Sequence, residues 1–138
     1  MNNLSKEEEH ILLHSLGWSN LRWYERDKIN QEPYRNYFYT SRNTVDYPFI
    51  ISLIEKGLMF ASEKTWEENP NDDSSYYFCC TEKGIDLTYS IARNQIEKSK
   101  PTRSKRRYEC YLHSESEESF IAWLRNSYWD DYRKRYNC

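Results

Sequence analysis

The residues best equipped for chemistry in this chain are two histidines, an adjacent pair of cysteines and an adjacent pair of aspartates. His10 and His14 stand four apart in the run H-I-L-L-H, the spacing that puts two metal ligands on one helical face, with Glu7 nearby. A zinc hydrolase would also need the glutamate base of H-E-x-x-H and a third ligand, and neither is evident. The pair therefore reads as two partly exposed histidines of an amphipathic helix, with Glu7, Glu8 and Glu9 as favourable charges in its first turn. Cys79 and Cys80 fall in an apolar run where one of the two must face a core, which makes an inert thiol. Asp72 and Asp73 could do acid/base work, but within a polar stretch they read as solvated surface. No Gly-rich phosphate loop, G-x-S-x-G elbow or Cys/His pairing at a familiar spacing is present. The expectation is a protein that is not an enzyme, with no catalytic residue, no metal and no cofactor.

The elements that must carry these residues follow from periodicity. Ser5 and Glu8 form a capping-box pattern, and Ile11, Leu12 and Leu16 recur at helical spacing up to Gly17, which predicts a helix over 6–16. Residues 18–44 lack a clean period and read as turns with room for one short helix, and the aromatic knot Tyr34, Tyr37, Phe38 and Tyr39 is expected to pack on the core. Asp46 as N-cap, Pro48 in the first turn and the stripe Ile50, Leu53, Ile54 predict a second helix ending at Gly57. Leu58–Phe60 and Tyr76–Cys80 read as two strands of a hairpin with a long polar loop between them. Thr81 caps a third helix carrying Ile85, Tyr89, Ala92 and Ile96, which breaks at Pro101. A last helix is expected to open at a Ser114–Glu117 capping box and to run through Phe120, Trp123, Leu124, Trp129 and Tyr132 to Arg133, Lys134 and Arg135.

Charge is unevenly spread. The net charge is −2, yet Lys98, Lys100, Arg103, Lys105, Arg106 and Arg107 form a run without an acid, while Glu63, Glu67, Glu68, Asp72 and Asp73 face only Lys64. The basic run is read as a flexible, solvated connection. The four cysteines, Cys79, Cys80, Cys110 and Cys138, contain no C-x-x-C and are read as reduced. The acidic start MNNLSKEEEH has no apolar core of a signal peptide, and no run approaches the roughly 20 apolar residues of a membrane span, so a cytoplasmic location is expected.

Leu53-Ile54-Glu55-Lys56-Gly57-Leu58, the acidic hairpin, and Tyr77-Phe78-Cys79-Cys80-Thr81-Glu82-Lys83-Gly84 together resemble the centre of a winged helix-turn-helix domain, over about residues 45–92. The resemblance makes the Asp46 helix the recognition helix and the acidic loop the wing. A second resemblance spans nearly the whole chain. Tyr34-Arg35-Asn36-Tyr37-Phe38, Asp46-Tyr47, Gly57-Leu58-Met59 and the tail Arg106-Arg107-Tyr108 with Ser119-Phe120 and Trp123-Leu124 are similar to small uncharacterised bacteriophage-encoded proteins. The expected fold class is mainly α (α+β): a winged helix with one β-hairpin over 1–99, then a basic connection and C-terminal helix over 100–138.

A DNA-reading helix needs Arg, Lys, Asn or Gln on its exposed face and a basic wing. Here the recognition-helix face would be Asp46, Tyr47, Ser52 and Glu55, and the wing carries a net of four negative charges, which repel phosphate. Fold does not fix function, and the acidic wing residues Glu63, Glu67, Glu68, Asp72 and Asp73 point to a protein partner. The expectation is therefore a phage-encoded binding protein that inhibits a host defence or CRISPR-type effector. The alternative is a DNA-binding transcriptional regulator using Lys98, Lys100, Arg103, Lys105, Arg106 and Arg107. Either a monomer or a homodimer fits the apolar last helix.

Overall fold

A computed structural model describes residues 3–136 and 138; Met1 and Asn2 of the acidic start lie outside it, as does Asn137. The chain folds as α1 (Lys6–Leu16), a 3-10 helix (Trp23–Asn30), β1 (Phe38–Thr40), α2 (Tyr47–Glu55), β2 (Met59–Ala61) and a one-turn helix α3 (Thr65–Glu68). There follow β3 (Tyr76–Cys80), α4 (Glu82–Lys98), α5 (Arg103–His113), α6 (Phe120–Arg125), a 3-10 turn (Ser127–Trp129) and α7 (Asp130–Arg135). This is an α+β architecture. Among the described residues no helix is long and apolar enough to cross a membrane.

The helix starts follow local chemistry. Ser5 Oγ accepts from the Glu8 N–H at 3.2 Å while the Glu8 carboxylate accepts from the Ser5 N–H, a reciprocal capping box that satisfies two orphan donors. Gly17 ends α1 at φ 77°, and the Tyr34 ring occupies the space a Cβ would need there. The two glycine junctions at residues 57 and 84 meet in space. Thr81 caps α4 by accepting from Gly84 N–H at 3.1 Å, and its hydroxyl donates to the Gly57 carbonyl at 2.7 Å. Gly84 packs directly against the Leu58 carbonyl, so a side chain at 84 would collide with backbone.

The hairpin is part of a three-stranded antiparallel sheet ordered β1-β3-β2, with Tyr39 opposite Tyr77 and Phe60 opposite Cys79. The additional strand comes from the expected aromatic knot. Only Phe38 of that knot enters the core; Tyr34, Tyr37 and Tyr39 are exposed. For Tyr39 the reason is the pleat: once 38–40 is a strand, alternate side chains must face opposite ways. The inner face, with Phe38, Met59, Tyr76, Phe78 and Cys80, closes on Ile11, Leu12, Leu16, Ile50 and Leu53. Glu8, buried between α1 and α2, takes a salt bridge from Lys56 at 2.8 Å and a hydrogen bond from Ser52 at 3.2 Å. Burial alone would raise its pKa, but the bonds from Lys56, the Ser5 backbone and Ser52 outweigh that and hold it below the ordinary value.

Three further expectations are corrected. The basic run is not a flexible connection: Lys98 ends α4, and Arg103 to Arg107 form the first half of α5. The last helix is broken into α6 and α7, because Asn126 leaves helical geometry and caps the following turn by accepting from the Tyr128 N–H at 2.9 Å. Ser114 does not open it. That hydroxyl donates back to the Tyr111 carbonyl at the end of α5, and Ser119 is the cap of α6. Finally, the cysteines are not all reduced. Cys110, buried on α5, is disulfide-bonded to Cys138, closing a loop of 28 residues and tying the chain end to α5, while Cys79 and Cys80 remain thiols.

Candidate docking surface

The acidic loop between β2 and β3 is held by a residue that carries no motif. Arg42, between β1 and α2, donates to the Asp72 carbonyl at 2.8 Å and to the Trp66 carbonyl. Its guanidinium also lies 5.4 Å from the Trp66 ring centre and 5.9 Å from that of Tyr76. Charge-assisted bonds of this kind to backbone fix a loop more firmly than neutral ones do. Trp66, on α3, packs edge-to-face on Phe78 at 5.6 Å and so anchors the loop to the sheet.

Asp72 does structural work within the loop. Its carboxylate accepts from the Tyr76 hydroxyl and from the Ser74 N–H, the latter at 2.9 Å. These bonds, with the nearby Arg42 charge, depress its pKa to about 2, and the same contact raises that of Tyr76. Asp72 is thus already engaged. The other four acids, Glu63, Glu67, Glu68 and Asp73, are exposed, so the loop presents carboxylates on a fixed frame.

The sheet's outer face adjoins that frame. Tyr39 is 56% exposed, Tyr77 44% and Phe60 46%, and the Tyr39 and Tyr77 rings lie 4.5 Å apart with Tyr37 edge-on to Tyr77 at 5.5 Å. Cys79 sits across from Phe60, and burial pushes its thiol pKa up, so it adds no negative charge to the face. Ser62 links face to loop: its N–H and its hydroxyl both donate to the Tyr77 carbonyl at 3.0 Å, and Glu63 follows. Arg35 borders the other end. It donates through Nε to the His14 carbonyl at 3.1 Å and lies 5.4 Å from the Tyr37 ring centre.

The remaining sequence-derived sites lie elsewhere. On α2, Tyr47 packs against the core, Ser52 turns to Glu8, Asp46 makes no side-chain cap, and only Glu55 of the four expected residues is exposed. In the basic run, Lys98, Arg103 and Lys105 are exposed, while Lys100, Arg106 and Arg107 are half-buried and Arg106 donates to the Pro101 carbonyl at 3.2 Å. His14 is next to His10 and Arg35; burial first, then those two charges, lower its pKa. Among the described residues no three or more His, Cys, Asp or Glu converge as a metal site.

The loop acids were readable from composition. The aromatic face had a signal that periodicity does carry, the alternation Tyr37-Phe38-Tyr39-Thr40. Arg42 had none. The chain matches no family model, no curated protein and no solved structure.

Proposed function

We propose that this chain is a non-enzymatic docking protein of winged-helix type that binds a basic surface of a protein partner. The observation that carries the reading is the clamped acidic loop continuous with an exposed aromatic sheet face. Aromatic side chains framed by fixed charges are the composition from which binding hot spots are built, and complementary charge steers and registers the encounter. Arg42 and Asp72 preorganise the loop, so little ordering entropy remains to be lost on binding. The strand order and the helix before the hairpin support the winged-helix reading. The likeness to phage-encoded proteins makes a host defence effector, whose nucleic-acid groove is basic, the expected partner.

The test is displacement of nucleic acid from a panel of purified CRISPR-type effectors. The expected result is that the protein displaces it from at least one, and that combined Glu67→Gln, Glu68→Gln and Asp73→Asn weakens displacement by about tenfold at low salt. Equal displacement by the variant removes the loop from the binding surface, and no displacement anywhere removes this class of partner.

A DNA-binding reading keeps one observation in its favour. Arg103 and Lys105 are exposed in the first two turns of α5, where the unmet N–H groups of a helix start also attract phosphate.

A further inference from the structure

The outer face of the sheet is unusual in being aromatic, exposed and free of its own acids. On β1, β3 and β2 the outward residues are Tyr39, Tyr77, Cys79 and Phe60. A face meant for an aliphatic partner would carry Leu, Ile or Met. This one offers a tilted stack of two tyrosine rings, centroids 4.5 Å apart at 32°, whose outer, uncovered ring face has negative electrostatic character and belongs to the more exposed Tyr39. The acidic loop leaves this face at Ser62, which bonds the Tyr77 carbonyl, and its first acid, Glu63, acts electrostatically on the neighbouring inward ring of Tyr76.

The molecule already seats guanidinium groups on aromatic rings, one at the border of this face and one beneath it. Arg35 lies 5.7 Å from the Tyr34 ring centre and 5.4 Å from that of Tyr37. Arg42 lies on Trp66 and Tyr76 behind the acidic loop. Among the described residues, no arginine or lysine covers Tyr39 or Tyr77. Arginine suits such a seat better than lysine, because its flat, weakly hydrated group stacks on a ring and can still donate to a carboxylate at the rim.

We propose that the Tyr39–Tyr77 face, with Phe60 beside it and the acidic loop at its edge, seats arginine side chains of a basic segment in the partner protein. This rests on the docking reading above and specifies its chemistry. Tyrosine faces supply selectivity for arginine over lysine; the loop acids supply attraction to either.

The experiment compares oligo-arginine and oligo-lysine peptides of equal length, titrated against the full chain at low and moderate salt. Oligo-arginine is expected to bind more tightly than oligo-lysine. Joint Tyr39→Ala and Tyr77→Ala should weaken arginine binding about tenfold and nearly abolish the preference, whereas Tyr39→Phe with Tyr77→Phe should retain both. Both pairs of sites are exposed, and circular dichroism verifies that the variants fold. Glu67→Gln with Glu68→Gln should weaken both peptides alike. Equal binding of the two peptides, no binding of either, or indifference to the alanine variant overturns the proposal. If the peptides bind equally and both depend on the acids, the docking reading survives without it. If arginine binding needs the tyrosines and ignores the acids, the seat stands and the acidic-loop reading falls.

Discussion

The chain uses its aromatic residues in two opposite ways, on the sheet and in the C-terminal helices. In the C-terminal part Trp123 is fully buried, ringed by Tyr111 at 5.8 Å, Phe120 at 6.3 Å, Trp129 at 6.2 Å and Tyr132 at 6.5 Å, with the Arg133 guanidinium 5.0 Å from its ring centre. On the sheet the tyrosines are next to each other and face outward. The difference comes from backbone geometry. Short helices turn Phe120, Trp123, Trp129 and Tyr132 toward one centre, whereas strands send every second side chain away from the core. A C-terminal aromatic should therefore cost stability when removed, and a sheet-face aromatic should cost binding.

The largest expected effect that sharpens this contrast is at the C-terminal centre. Trp123→Ala should lower unfolding free energy by about 3–5 kcal/mol in urea titrations, since the ring lies wholly within the core. Cys138→Ser, which opens the loop closed on Cys110, should cost about 3 kcal/mol, measured the same way and matched by adding reductant to the parent chain. Next is the loop clamp. Arg42→Ala removes two charge-assisted bonds to backbone and should cost about 2 kcal/mol, with faster hydrogen exchange over residues 62–75 and none of that change in α5.

A smaller effect is predicted at Asp72, and its sign is set by the depressed pKa. The carboxylate has an ordinary value of 3.8 and a folded value of about 2, so its contribution is present above about pH 4 and is lost as pH falls through about 2. Thermal melts followed down through that window should show a shallower acid loss in Asp72→Asn than in the parent. Smallest of all, Tyr39→Ala should change stability by under about 1 kcal/mol, because its ring is exposed and only the cross-strand contact with Tyr77 is lost. A larger loss would mean that the sheet-face aromatics are structural after all, and the contrast would fail.

Features set by neighbouring residues were legible in the sequence. The Ser5–Glu8 box, Gly17, the Thr81 cap and the span of β3 all form where spacing and capping chemistry place them. Features that need distant residues were not. β1 has a short alternation in its sequence, but it is a strand because Phe38–Thr40 pairs with Phe78–Tyr76, a partner that a three-residue segment does not identify. The Cys110–Cys138 bond depends on α7 returning to α5, and the roles of Arg42 and Asp72 depend on the loop folding over β1's exit. At the candidate site the sequence therefore supplied the acids but not their frame. It also gave all five the same role, where the structure separates the engaged Asp72 from the other four.

The central claim is that this molecule meets its partner through acids and tyrosines, not through the cations of α5. The most direct test is the salt dependence of binding to nonspecific duplex DNA, for the parent chain and for combined Arg103→Ala, Lys105→Ala, Arg106→Ala and Arg107→Ala. The account predicts negligible binding even at low salt, and no difference between the two proteins. Tight low-salt binding that falls steeply as salt rises and disappears in the variant would contradict it and establish α5 as a phosphate-binding surface.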